Sequence, residues 1–295
     1  MNSPVVSSFA IPPADAGSAW SRSAMGRMLL RAVHYAVLLA LVVVFMGPFL
    51  WLVSLAFRGA GNIYSLQLIP DNPTWENFAY VWQTGGLRRA FLNSVIVAVA
   101  VVGLNVVLCS LAAYPLARME FPGRRAVFLL ILSTLMIPFQ LYMIPLYLVS
   151  LRLHLDDTLI GIILPWSVGA VSIFLLKQYY STIPKELEEA ARIDGCNDLG
   201  VWWRIMVPLT QPAIAAMAIF VFVQNWSNFL WPLILLNSQD RYTLPLAIEK
   251  LSGAFIDKTQ YIAAGSVIAV LPVIIMFFLL QRHFIGGLTV GGVKG

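Results

Sequence analysis

An all-α membrane protein with six transmembrane helices is the fold this sequence predicts, on three observations. Of 295 residues, 59% are hydrophobic and only 11% are charged, where a soluble domain carries roughly a quarter. Charge-free runs lie at 32–57, 90–117, 126–151, 158–176, 205–239 and 259–281, each 19 residues or longer, and no other exceeds 14. A hydrocarbon core about 30 Å thick takes roughly 20 helical residues at about 1.5 Å each, so the six runs supply six spans. A transmembrane barrel would instead alternate in stretches of about ten residues.

In chain order, residues 1–31 form a Ser-, Pro- and Ala-rich tail with Arg22, Arg27 and Arg31. The apolar run behind it is too long for a signal h-region and has no clear cleavage site, so it reads as a retained first span over about 33–57. Further spans are expected over about 91–115, 127–150, 159–177, 213–236 and 261–282, all within one six-helix membrane unit of 32–284. The tail 285–295 closes the chain. With the N-terminus inside, twelve Lys and Arg fall in cytoplasmic segments and seven outside, a positive-inside bias that puts both termini in the cytoplasm. The net charge of +5 then reflects topology, and no basic cluster interleaved with aromatics points to nucleic acid. Cys109 falls in the second span and Cys196 on the cytoplasmic side, so they do not pair.

Several chemistries are excluded. His34, His154 and His283 stand near membrane boundaries, no Asp, Glu, Lys or Arg lies deep in a span, and no Cys/His cluster has metal-ligand spacing. An ion-coupled secondary carrier would need such buried groups and usually an internal repeat, and a membrane enzyme would need a nucleophile, an acid/base pair or a metal. No G-x-x-x-x-G-K-[ST] loop is present to hold ATP phosphates. The chain is thus expected to bind no cofactor, and any energy for transport comes from another polypeptide.

One charged stretch interrupts the apolar sequence, KELEEAARIDGCNDLGVWWRIMVPLTQP from Lys185 to Pro212. Pro184 suits a first helical position, and Glu186 and Glu188 fall at the positive end of the helix dipole. Gly195 suits a left-handed helix stop, Asn197 or Asp198 caps a second helix, and Pro208 ends it. On the first helix Leu187, Ala190, Ala191 and Asp194 share one face while Glu188, Glu189 and Arg192 point elsewhere. Two alanines allow close approach to a partner. A helix resting on the membrane would carry basic and bulky apolar residues, so the acidic, Ala-rich composition favours docking in a groove.

The fifth span holds Gln224, Asn225, Trp226, Ser227, Asn228 and Trp231. Amides and indoles suit an uncharged, hydroxyl-rich solute, and they serve equally as glue between membrane helices. Outside the membrane, the 58–89 and 237–258 connections are long enough to present Trp75, Tyr80, Trp82 and Tyr242 to a soluble partner, or to cap helix ends.

Glu189-Ala190-Ala191, then Gly195, then Ile205 and Pro208, resembles the EAA loop of ABC importer permeases, with Val207 at a position where Leu is usual. LAAYPLARMEFPGR (111–124), IPKELEEAARIDG (183–195), NFLWPLILL (228–236) and GLTVGGVKG (287–295) in that order are similar to MalG-type permeases of carbohydrate ABC importers. The resemblance covers nearly the whole chain from about residue 33. It implies the type I importer (MetI-like) fold in the cytoplasmic membrane, with a coupling helix in the 183–212 loop between the fourth and fifth spans. It also implies a second MalF-like permease, an ATPase dimer that uses ATP and Mg, and an extracytoplasmic solute-binding protein. Glu188, Glu189, Ala190, Ala191, Asp194, Gly195, Ile205 and Pro208 are then the ATPase-coupling residues. Gln224, Asn225, Trp226, Asn228 and Trp231 are the pathway candidates for a sugar, with a polyol, a glucoside osmolyte or glycerol 3-phosphate as alternatives. The final tail is expected to reach toward the ATPases, although Gly287 and Gly292 stand where relatives often have Arg and Ala.

Overall fold

A computed structural model describes residues 16–59, 68–83, 85–254 and 259–288, and among these the fold is almost entirely helical. Helix α1 (Ala16–Ala56) starts well ahead of the expected 33 and exposes apolar side chains around most of its surface. That suits lipid as its surroundings, because a helix apolar all round has no aqueous face. Helix α2 (Glu76–Gln83) follows; its Asn77 amide donates to Ala56 O at 2.9 Å and Arg58 O at 2.7 Å, satisfying carbonyls that the end of α1 leaves open.

The organising element is α3 (Leu87–Arg118), which contributes to both hydrophobic clusters of the interior. One cluster gathers Val101, Cys109, Leu176, Tyr180, Trp202, Met217 and Trp231. The other joins Leu55, Val81, Leu87, Ala98, Trp226, Leu244 and Ala264.

The expected third, fourth and fifth spans are not single rods. Helices α4 (Arg124–Ser133) and α5 (Phe139–Arg152) meet at 102° across a short 3-10 turn, Thr134–Met136. Pro138 causes the break: it has no N–H for the helix, and its ring drives Ile137 to an extended φ of −96° and ψ of 111°. Helices α6 (Leu159–Trp166) and α7 (Ala170–Tyr180) meet at 41° across Ser167–Gly169. After α8 (Glu186–Ile193), the chain runs through α9 (Asp198–Val201), a π-helical turn Trp202–Met206 and α10 (Val207–Leu209). It then bends by 79° into α11 (Gln211–Trp226). Three breaking residues at 227–229 separate α11 from α12 (Leu230–Leu235), so the predicted 213–236 span is also interrupted.

Helix α13 (Leu244–Ala254) and the long α14 (Thr259–Leu288) complete the chain. Among the described residues, three helices are individually long and apolar enough to cross a membrane, at 26–56, 87–118 and 259–279, and the three bent pairs bring the number to as many as six. The final residues 289–295, on which the expected tail contact depends, lie outside the described residues.

Candidate functional site

The 183–212 loop is built from its turns outward. Gly195 has a φ of +87°, a left-handed conformation that other residues adopt at a cost. Its N–H donates to Arg192 O at 3.0 Å and the Cys196 N–H donates to Ala191 O at 2.9 Å, the paired bonds that close α8 in a Schellman turn. Asn197 then caps α9, its Oδ1 accepting from the Gly200 N–H at 2.8 Å. An Arg192–Asp198 ion pair at 2.7 Å spans the turn, and both side chains are half exposed, which limits it to about 0–1 kcal/mol.

What seats this loop is a buried ion pair that composition does not reveal. Arg118, the last residue of α3, donates through Nε to the Glu188 carboxylate, with side chains only 5% and 9% exposed. The same guanidinium donates to Ile183 O at 2.8 Å and Pro184 O at 3.3 Å. Breaking such a buried pair by removing one partner costs about 3–5 kcal/mol. Glu188 therefore turns inward beside Ala191, which divides the face expected to meet a partner: Ala191 is buried against the chain itself while Leu187, Ala190 and Asp194 stay exposed. Glu189, Ala190, Asp194, Leu187 and Ile193 look outward, with Ile193 87% exposed. Ile205 is half-buried against the first cluster, and Pro208 is exposed at the start of α10.

A second anchor lies about two turns back along α3. Ser110 Oγ pairs with Tyr180 Oη at 2.7 Å and accepts from Trp202 Nε1 at 3.0 Å. The π-helical turn has a part in this, because it directs Trp202 inward while its neighbour Trp203 stays 61% exposed. Helix α3, helix α7 and the segment after α8 are thus joined by bonds shielded from water, where a lost partner is costly.

The fifth-span residues separate into two groups. Gln224 and Asn225 line a cavity of about 480 Å³ between α3, the α6–α7 break and α11. Trp226 and Trp231 do not line it. Trp226 is packed between Phe222 and Phe91 and donates to Ala269 O at 2.8 Å; Trp231 is fully buried and donates to Gly161 O at 3.0 Å. Both indoles thus hold helices together. Asn228 Oδ1 faces the Trp231 N–H at 3.5 Å, the outer limit of a hydrogen bond. Cavity residues that sequence reasoning passed over include Asn105, Trp166 and Ser172, from helices whose apolar composition gave no reason to single them out.

At the opposite end of α3, Asn93 donates to Asp240 O at 2.9 Å and Tyr242 O at 3.0 Å, and Ser94 Oγ accepts from the Leu244 N–H at 2.7 Å. Asp157, at a φ of +51°, accepts from the N–H groups of Asn237 and Ser238 and from Ser238 Oγ. Partial burial alone would raise its carboxyl pKa; those hydrogen bonds and the nearby Arg241 outweigh it and hold the value below the usual range. Of the aromatics expected at this end, Tyr80 stacks on Tyr261 at 4.5 Å and Trp82 leans on Phe91 at 5.7 Å. Tyr242 donates to Asn237 O at 3.2 Å, and Trp75 is 72% exposed.

Against known proteins, residues 105–289 match the family model for the binding-protein-dependent transport system inner membrane component. The chain is 41% identical to the arabinooligosaccharides transport system permease protein AraQ of Halalkalibacterium halodurans over 262 residues, 87% of this chain and 93% of that one. It is 34% identical to the trehalose transport system permease protein SugB of Mycobacterium tuberculosis, covering 90% of this chain and 98% of that one. Among solved structures, a chain of a bacterial ABC transporter involved in the import of the acidic polysaccharide alginate superposes with a TM-score of 0.79. That match runs at 24% identity and covers 88% of this chain and 98% of the other, a likeness of fold.

Proposed function

The chain belongs to the inner-membrane components of binding-protein-dependent transport systems, and from that premise we propose that it is the permease subunit of a carbohydrate ABC importer. It forms half of a translocation path and takes its energy from a cytoplasmic ATPase dimer through α8. Both termini and the 183–212 loop face the cytoplasm, and the 237–243 end faces the solute-binding protein, with Trp75 as the exposed aromatic available to it. A MalF-like permease supplies the other half of the path. ATP and Mg are used by the ATPases, and this subunit is non-catalytic.

The observation that carries the coupling role is the seating of α8. One edge, Glu188 and Ala191, is locked to the chain itself, so the opposite edge, Glu189, Ala190 and Ile193, is left projecting. A short helix with a small residue at its centre and an apolar tip fits a groove, and Glu189 supplies the polar contact there. Gly195 sets the turn and Ile205 packs the loop back on the body, while Asp194 and Pro208 lie on its rim. Because the loop is rigidly tied to α3, closure of the ATPases is passed on as rigid-body rotation of helices, one established route to alternating access.

A carbohydrate is favoured over a phosphate ester because, among the described residues, the cavity beside Gln224 and Asn225 has no Arg or Lys in its lining, whereas phosphate recognition relies on such charge. The direct test is co-purification from native membranes in mild detergent, comparing wild type with Glu189→Lys. Recovery of an ATPase and a second permease with wild type, and loss of the ATPase with the variant, is expected. A wild-type chain that emerges alone and stable refutes the proposal.

A further inference from the structure

Helix α1 carries a basic face with no acidic partner among the described residues. Arg27, Arg31 and His34 recur at intervals of four and three residues, so they share one side of the helix over about 10 Å at about 1.5 Å per residue. All three are exposed, and with Gly26, Leu30 and Tyr35 they line an open notch of about 640 Å³. No Asp or Glu occurs between residues 16 and 70, and among the described residues neither guanidinium forms an ion pair.

The same face continues along the helix as an apolar strip. Leu38, Leu41 and Phe45 follow His34 at intervals of four, three and four residues, and each is exposed. From His34 to Phe45 the rise is about 16 Å, close to half of a hydrocarbon core about 30 Å thick. Arg31 is the last charged residue before the charge-free run 32–57, so the basic face stands at headgroup level, a depth at which tyrosines such as Tyr35 are enriched. The rings of His34 and Tyr35 meet edge to face there at 6.1 Å. A cationic head above an apolar track as long as one leaflet, both on one side of one helix, matches the two parts of a phospholipid; a soluble anion would use only the first.

We propose that this face of α1 seats one anionic phospholipid, its phosphodiester held by Arg27 and Arg31 and one acyl chain laid along Leu38, Leu41 and Phe45. Guanidinium forks match phosphate oxygens through charge-assisted hydrogen bonds, and the His34 imidazole offers one more donor. Basic charge alone draws anionic lipid diffusely around the end of a span; alignment of that charge above a continuous apolar track makes the seat discrete. Helix α1 packs on α14, yet its most apolar stretch is not buried by the rest of the chain. A bound lipid therefore fixes the depth of a span that few protein contacts hold, since interfacial Arg and Tyr anchors set how such a helix sits. The seat does not depend on which solute the chain carries.

The test places a photoreactive residue on the strip in the intact transporter, reconstituted in nanodiscs of dioleoylphosphatidylglycerol and dioleoylphosphatidylcholine at about one to four. The photoreactive p-benzoylphenylalanine replaces Phe45 in one preparation. In a second it replaces Val43, which is exposed at nearly the same depth on the opposite side of the helix. Mass spectrometry counts the two lipids among the adducts. At position 45 the ratio of anionic to zwitterionic adducts should exceed the bulk ratio by about twenty-five-fold, about fivefold for each arginine at the headgroup; at position 43 it should stay near the bulk ratio. Arg31→Gln should lower the enrichment at position 45 by about fivefold, with Arg27→Gln read the same way if that complex fails to assemble. Excess soluble glycerophosphoglycerol should leave the enrichment unchanged; a fall would assign the arginines to a free phosphate ester and overturn the lipid seat. Equal enrichment at the two positions overturns it, as does indifference to the arginine variants, or adducts with the second permease in place of lipid at position 45.

Discussion

Arg118→Met is the substitution that tests how the 183–212 loop is held. It keeps an unbranched side chain of similar length but removes the charge and the donors. Glu188 is then left with its carboxylate buried and unpaired, and Ile183 O and Pro184 O lose their bonds to the guanidinium. Removing one member of a buried pair costs about 3–5 kcal/mol, and even the lower figure changes an equilibrium by about a hundredfold at 1.36 kcal/mol per factor of ten. The loop can escape much of that cost by lifting away and letting Glu188 reach water, so the loss should appear as unseating of α8 more than as global unfolding. Trypsin acting on the detergent-solubilised complex reads this directly, since cleavage at Lys185 and Arg192 requires α8 to open and follows the open population. The expected cleavage rate rises by about a hundredfold, uptake falls with it, and assembly with the second permease is retained. Arg118→Met combined with Glu188→Leu should recover much of the seating, because no charge is then stranded; recovery stays incomplete because the two carbonyls still lack their donor. An Arg118→Met single variant with wild-type cleavage and wild-type uptake would refute the reasoning.

Two further outcomes follow from the geometry. Gly161→Ala drives a methyl group against the Leu155 backbone carbonyl and within 2.7 Å of Leu235 Cδ2; the leucine side chain can swing aside, so it is the turn carrying Leu155 O, ahead of α6, that must move. A cost of about 3 kcal/mol, the upper range for overpacking, should lower the detergent melting temperature by several degrees, and an unchanged melting temperature would show that α6 is free to shift. Asp157 binds fewer protons folded than unfolded because its pKa is depressed, so its stabilisation is complete above the unfolded value of about 3.9 and is lost as pH falls through the lower folded value. The melting-temperature gap between wild type and Asp157→Asn should therefore be constant from pH 7 to 5 and close on further acidification; a gap that closes near neutrality would assign the effect to another group.

Much of the architecture is legible because lipid imposes it. Six charge-free runs of at least 19 residues must each satisfy their backbone polar groups internally, and helices do so without help from distant parts of the chain. The helix-turn-helix of the 183–212 loop is legible for a similar local reason: Gly195 and Asn197 fill the roles their chemistry prescribes within a few residues. The breaks at Pro138 and at Ser167–Gly169 were visible as residues but not as bends. Proline is common in membrane helices, and neighbouring helices decide whether it kinks a span or ends it.

Sequence alone thus determined the class of the protein, the number of apolar segments and the place of the short charged helix α8, since each depends on periodicity, charge or capping within one segment. Tertiary structure decided which way those segments face. It turned Glu188 toward Arg118, seventy positions away, and left Glu189 outside; it placed Trp226 and Trp231 in the packing and Asn105 and Trp166 at the cavity. The physical reason is that burial of a polar group is settled by the partner it meets, and for an amide, an indole or a carboxylate in an apolar chain that partner lies on another helix.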